Sequence, residues 1–402
     1  MKSVRYEHLA LSGRAFYVLL AAVGGLAGIG LLSAWAMEHR GHWVTGMDNQ
    51  IVWGMPHIFA IFLIVAASGA LNVASMGSVF GRAAYKPLAR LSGLLALALL
   101  MGGLSVLVLD LGRPDRLIVA MTTYNFKSIF AWNIFLYTGL MAVVGVYLWV
   151  QMERRFQHLA GAAGVVALVW RLALTTGTGL IFGMLIAREA YDAAVMAPLF
   201  IAMSLAFGMA LFVPVLIAAY AAGGHTIDEA LIRRMGRLLG IFVAAVLYFV
   251  AVQHLTNLYA AEHTGVERFI LADGGAITAL FWFGQVVFGG LLPLALLFGK
   301  TRNGIQSRVL TACLLIVLGG LAQLYVIIIG GQAYPLQLFP GLEVTSSFFD
   351  GQVNTYTPSL YEIMLGLGGF GIAALITVVG LMAMPFLPAS TALGAEQAEA
   401  AE

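Results

Sequence analysis

The stretch Leu109-Asp110-Leu111-Gly112-Arg113-Pro114-Asp115-Arg116 separates two predominantly apolar runs, 91–109 and 130–150. Four charged side chains therefore gather where one membrane-length segment ends and before the next begins. An Asp at a helix C-terminus faces the wrong end of the helix dipole, so Asp110 needs a positive partner, and Arg113 is the nearest along the chain. Gly112 can adopt the left-handed turn that closes a helix, and Pro114 cannot continue one. The bland alternative is a polar loop that merely anchors two helices.

Composition sets the class around this loop. With 61% hydrophobic and 10% charged residues over 402 positions, the chain departs far from a soluble globular composition. The nearly neutral charge balance, +2, gives no sign of a nucleic-acid partner. The single cysteine, Cys313, lies inside an apolar run and supports neither a disulfide framework nor a thiolate-held metal or cluster.

Ten stretches are long enough to cross a hydrocarbon core of about 30 Å, which takes about 20 residues. They run near 15–37, 53–76, 88–110, 130–151, 160–187, 193–222, 238–259, 275–298, 307–331 and 360–387. In lipid only helices and closed barrels satisfy the backbone, and runs this continuous exclude barrel strands. The predicted fold is an all-α polytopic membrane bundle forming a single domain over 1–387, with a small acidic tail, 388–402, expected to be disordered. The first span has basic residues before it and an Ala34-Trp35-Ala36 site that imitates a signal peptide, but its apolar core exceeds an h-region, so it reads as a retained helix. Glycine pairs such as Gly24-Gly25, Gly102-Gly103 and Gly289-Gly290 suit close helix approach.

Fourteen Lys and Arg lie in the terminal segment and loops on the amino-terminal side and six on the other, with Arg171 inside a span. The positive-inside rule then places both termini in the cytoplasm and the 110–132 loop outside. The expected location is the bacterial cytoplasmic (inner) membrane. The connection 332–359 carries no Lys or Arg and also falls outside; its aromatic residues, among them Phe339, Phe348 and Phe349, suggest a lid, a docking surface or a re-entrant interfacial segment.

The run from Leu109 to Arg116, followed by Asn125, Ser128 and Trp132, and preceded by Trp53-Gly54-Met55-Pro56-His57, resembles the signature of the polysulfide reductase/NrfD family of integral membrane subunits. The resemblance implies a helical bundle that exchanges electrons between membrane quinone or quinol and an iron–sulfur partner. The ten-span layout is similar to the branch found in the sulfite-reduction-associated (Dsr) complex. Implied partners are an extracytoplasmic ferredoxin-like iron–sulfur subunit, often multihaem cytochrome c, and other membrane subunits of a Dsr-type complex. No haem, flavin or iron–sulfur cluster is expected in this chain.

Ionisable residues inside spans are costly and are functional candidates by default. His57 opens the second span, and His254 lies about one and a half turns before the seventh ends, at 3.6 residues per turn. Asp110, Asn133, Arg188, Glu189, Gln323, Tyr325 and Glu362 share that outer depth; Asn257, Glu262 and His263 follow His254. A quinone headgroup needs a donor at each carbonyl, and its oxidation needs a base that passes protons to water, which His with Asp or Glu supplies. His57, Asp110 and Arg113 are therefore the candidate reactive residues, and His57, Asn133, His254, Asn257, Glu262, His263 and Tyr325 the candidate headgroup contacts. The competing reading of each is an interhelical hydrogen bond. Arg171, near mid-membrane, has no carboxylate at its depth; backbone carbonyls, Thr175, Thr176 or water are its expected partners. Two other classes remain: a single-haem cytochrome b type carrier, for which His57 and His254 are the available ligand pair, and a secondary transporter, whose paired broken helices are not evident.

Overall fold

A computed structural model describes residues 5–9, 13–299, 304–335 and 351–389. Ten helices among them are long and apolar enough to cross a membrane. In chain order the helices are α1 (Arg14–Arg40), α2 (Met55–Ser78), α3 (Ala89–Leu109), the short α4 (Leu117–Thr122), α5 (Ile129–Met152), α6 (Ala160–Gly183), α7 (Met196–Ala222) and α8 (Glu229–Tyr259). A short α9 (Thr264–Arg268) leads to α10 (Ala276–Phe298), α11 (Ile305–Ala333) and α12 (Leu360–Ala383).

α2 is the hub. It packs on α3, α6, α7, α11 and α12 and is buried along its whole membrane window, whereas the corresponding window of α1, which rests chiefly on α12, is only 17% buried. Mean hydropathy does not separate these two helices, because lipid is as apolar as protein interior. Contact between backbones does. A methyl group on Gly69 would overlap the Ser204 carbonyl of α7, and one on Gly208 would overlap the backbone of Gly69 and Ala70. Gly102, Gly103, Gly289 and Gly290 make close approaches of the expected kind. Gly24 and Gly25 do not: nothing lies within 4 Å of either position, and the α1–α12 contact is made at Gly30 against Gly368. Their segment faces outward, and a Gly-Gly pair carries no signal of which face is covered.

Pairing of Tyr6–Glu7 with Leu387–Pro388 as a two-stranded antiparallel ribbon, Tyr6 opposite Pro388, joins the first and last described segments. Arg90 sits 3.8 Å over the Tyr6 ring and donates to the carbonyls of Pro385 and Gln151, a latch at the end of the bundle opposite His57. The start of the predicted tail is thus structured through Pro388; residues 390–402 lie outside the described residues, as do 336–350 of the aromatic connection, including Phe339, Phe348 and Phe349.

Candidate functional site

α3 ends as its residues dictate. Asp110 follows its last turn, donating its backbone N–H to Val106 O at 3.1 Å, and Gly112 takes a left-handed φ of 69°. That turn sends Arg113 outward, and the expected Asp110–Arg113 pair does not form. Arg113 instead grips Asp115 through both guanidinium donors, Nε to Oδ1 and Nη2 to Oδ2, each at 3.0 Å. The hydrogen bonds from Arg113 hold the Asp115 carboxyl below its ordinary range and push Arg113 upward. Both side chains are well exposed, so the pair shapes the turn and contributes little stability.

The partners of Asp110 are histidines. His57 Nδ1 stands 2.9 Å from Oδ2, and His42 Nε2 is 4.0 Å from Oδ1 and 3.2 Å from the Asp110 carbonyl oxygen. The His57–Asp110 contact has ion-pair distance, but its angle falls short of a hydrogen bond, so both carboxylate oxygens lack a well-aligned donor. Such contacts tighten when a ligand arrives. His42 comes from the turn after α1 and packs over Gly112, whose absent Cβ would lie 3.3 Å from the ring. Trp53 stacks nearly parallel to His57 at 6.1 Å and meets Phe130 and Phe182. Exposure rises from the Asp110 side chain, 0%, through His57, 16%, to His42, 29%. A buried acid therefore backs an imidazole that reaches the surface of the site.

A polar cap fixes where α2 starts, and so where His57 sits. Glu362, fully buried, accepts from Tyr356 Oη at 2.5 Å and from Gly46 N and Ser359 N at 2.7 Å each; Tyr356 Oη in turn accepts from Met55 N at 2.6 Å. Ser359 and Glu362 also form a capping box at the start of α12. Gln332 Oε1 accepts from the N–H groups of Val52 and Trp53, and Arg188 donates to the carbonyls of Gln50 and Gln332. Asp48, though desolvation pushes it up, is held below the usual carboxylate range by hydrogen bonds from Ile51, Asn354 and Gln50. Removing the acid by Glu362→Ala strands three donors at about 1–3 kcal/mol apiece. The expected result is a clear fall in thermal midpoint with faster amide exchange over 46–55; unchanged exchange there would show that the cap is not what holds α2.

The other predicted residues do not join this site as one cluster. Tyr325 lies by the cap, its ring 6.4 Å from Tyr356. Asn133 braces α5 to α6, donating to the carbonyls of Ile129 and Gly177. His254 and Asn257 converge on Glu267, an acid that sequence reading passed over because it follows the seventh span in a stretch read as loop: His254 Nδ1 is 2.6 Å from Oε2, and Asn257 Nδ2 donates to Oε1 at 2.9 Å. His263 Nδ1 donates to the Glu189 carbonyl at 2.7 Å, while its Nε2 is 3.6 Å from the exposed Glu262. His42 was also passed over, since it lies between spans; its place in sequence just outside α1 is its only signal. Asn125 and Ser128 form the turn into α5, and Trp132 Nε1 donates to the Phe126 carbonyl.

Arg171 is buried and donates from Nη2 to Asn72 Oδ1 at 2.8 Å. Thr175, expected from sequence to help satisfy the guanidinium, does not; its hydroxyl bonds the Arg171 carbonyl and Ser68. The haem alternative requires His57 and His254 to face one ring. They stand on α2 and α8, helices that each pack on α7 and make no comparable contact with one another. Among the described residues no group of three or more His, Cys, Asp or Glu could hold a metal ion.

The profile of the family described as polysulphide reductase, NrfD matches residues 43–335. The chain is 28% identical over 377 residues to the Hdr-like menaquinol oxidoreductase integral membrane subunit of Archaeoglobus fulgidus, covering 93% of each chain. It is 30% identical over 393 residues to a putative dimethyl sulfoxide reductase membrane subunit of Halobacterium salinarum, covering 88% of each. A selenate reductase subunit of Mesobacillus selenatarsenatis is 22% identical over 399 residues, with 90% of this chain and 92% of that one covered.

Proposed function

Because the chain belongs to the polysulphide reductase, NrfD family, we propose that it is the membrane subunit of an oxidoreductase complex that exchanges electrons with a membrane quinone at the His57–Asp110 pair. The observation that carries this reading is a wholly buried Asp110 carboxylate 2.9 Å from the partly exposed imidazole of His57. The name of one relative, a menaquinol oxidoreductase subunit, supports a quinol as the small partner.

The residues fit such a headgroup. Asp110 favours the His57 tautomer with its proton on Nδ1, leaving the Nε2 lone pair to accept from a hydroxyl. As His57 takes that proton, the adjacent carboxylate stabilises the imidazolium, and His42, more exposed, offers a second group through which the proton can pass to water. Trp53 supplies a flat wall beside the imidazole. A bound quinol would supply two electrons and two protons; the electrons leave for a partner chain, which we take to be an extracytoplasmic iron–sulfur subunit seated over the 110–132 loop.

Binding tests the assignment. Loss of one headgroup hydrogen bond costs about 1–2 kcal/mol, so His57→Ala is expected to raise the Kd of the purified chain for a short-tailed menaquinol analogue about tenfold. An unchanged Kd would remove His57 from the site. Orientation is tested separately: a reporter inserted near Gly341 is expected to be active outside and one fused after Glu402 in the cytoplasm, and the reverse pattern would move the site to the other face.

A further inference from the structure

The second half of the bundle has its own imidazole–carboxylate pair with a buried acid. In the first half, His57 and Asp110 meet at the outer end of α3; in the second, His254 and Glu267 meet at the outer end of α8. Glu267 is 1% exposed, and its two oxygens are both engaged, by His254 and by Asn257. The His254 ring lies edge-on to Phe281 at 4.8 Å.

Beneath this pair the helices do not close. One cavity is walled by His254, Gln253, Met196 and Ile270, another by Phe207, Gly289 and Gly319, and both share Gln285 and Gln323. Gln323 is 2% exposed, and its Nε2 has no hydrogen-bond partner. A buried amide donor without a partner is costly unless the cavity beside it offers water. Three wider, π-helical stretches surround the same place: Phe269–Asp273, Leu280–Leu291 and Val326–Gly330, contributing Ile270, Gln285 and Val326 to its walls. Such stretches concentrate at functional sites.

Size decides the occupant. Each cavity measures about 20 Å3, enough for a water molecule. Small-molecule pockets measure about 300–1,000 Å3, so no quinone ring fits here. What a water-sized, amide-lined cavity under a His–Glu pair can exchange is a proton.

We propose that His254, Glu267 and Asn257, with the cavities bounded by Gln253, Gln285 and Gln323, form a hydrated proton-holding site separate from the His57–Asp110 pair. On loading, one proton moves from cavity water to the pair, giving imidazolium beside carboxylate or neutral imidazole beside carboxylic acid. On unloading, that proton returns to water and leaves neutral imidazole with the Glu267 carboxylate hydrogen-bonded to Asn257. The ionisable groups of the neighbouring outer segments are Arg188, Glu189, Glu262, His263 and the exposed Arg268–Asp273 pair. Among them Glu189, raised by desolvation and with a buried, unpartnered Oε2, accepts from His263 at its carbonyl and precedes Ala190 in the wall of the His254 cavity.

Infrared difference titration of the full chain in lipid nanodiscs, without quinol, tests this. A carboxyl band that titrates and shifts promptly in heavy water is expected in the wild type, lost in Glu267→Gln and displaced in His254→Gln; Gln323→Leu is expected to slow its exchange. If Glu267→Gln, folded as judged by helicity, removes no titrating band, the proposal fails. Should that variant not fold, an undisplaced band in His254→Gln overturns it equally. Because no quinol is present, failure here leaves the quinol-binding assignment untouched, and failure of that assignment leaves this one standing.

Discussion

Asp110→Asn is expected to lower quinol oxidation by the assembled complex by about 10²–10⁴-fold, the range that a positioned acid–base group contributes. The amide keeps the size of the acid but cannot stabilise the imidazolium, and it can turn its NH2 toward His57 Nδ1, favouring the wrong tautomer. The effect should appear in the rate at saturating quinol more than in binding, since the headgroup contact belongs to His57. Combined with His57→Gln, the loss is expected to be far from additive, because the two act as one unit. Arg113→Ala is the control: its partner is Asp115 on the exposed side of the turn, so oxidation should remain near the wild-type rate. A complex in which Arg113→Ala matches Asp110→Asn, or in which Asp110→Asn oxidises quinol normally, would refute the assignment of base and orienting acid.

The largest effect on stability is expected at the crossing of α2 and α7. Gly69→Ala places a methyl group onto the Ser204 carbonyl, a backbone atom that cannot swing aside as a side chain would. The cost should reach or pass the upper end of the ~1–3 kcal/mol typical of overpacking. Both helices must separate, and α2 touches five other spanning helices. Low yield, a lowered thermal midpoint and reduced quinol binding should therefore occur together. Gly25→Ala, with nothing within 4 Å, is expected to stay within about ±0.5 kcal/mol of wild type. Equal stability of the two variants would mean that the α2–α7 contact is looser than the approach of Gly69 to Ser204 requires.

Hydropathy alone determined that this chain is a helical membrane protein, with ten span-length helices among the described residues, because an apolar run of span length has a single way to satisfy its backbone in lipid. Depth was legible too: counting residues along a rigid helix places His57, Asp110 and His254 near the ends of their spans, on one side of the bundle. The loop motif from Leu109 to Trp132 was enough to indicate the family. Lateral partners were not legible. Nearness in sequence favoured Arg113 for Asp110, yet the turn at Gly112 carries Arg113 to solvent while helix packing brings His57 and His42 from elsewhere in the chain. Glu267 was missed for the same reason, since nothing local to 261–273 shows that it folds back beneath His254. Which glycines lie at crossings, which helix is central and where the helices widen into π turns depend on how the helices pack laterally. Between helices in lipid the hydrophobic effect expresses no preference, so those choices fall to backbone contact and to pairing of buried polar groups, which exist only once the bundle is assembled.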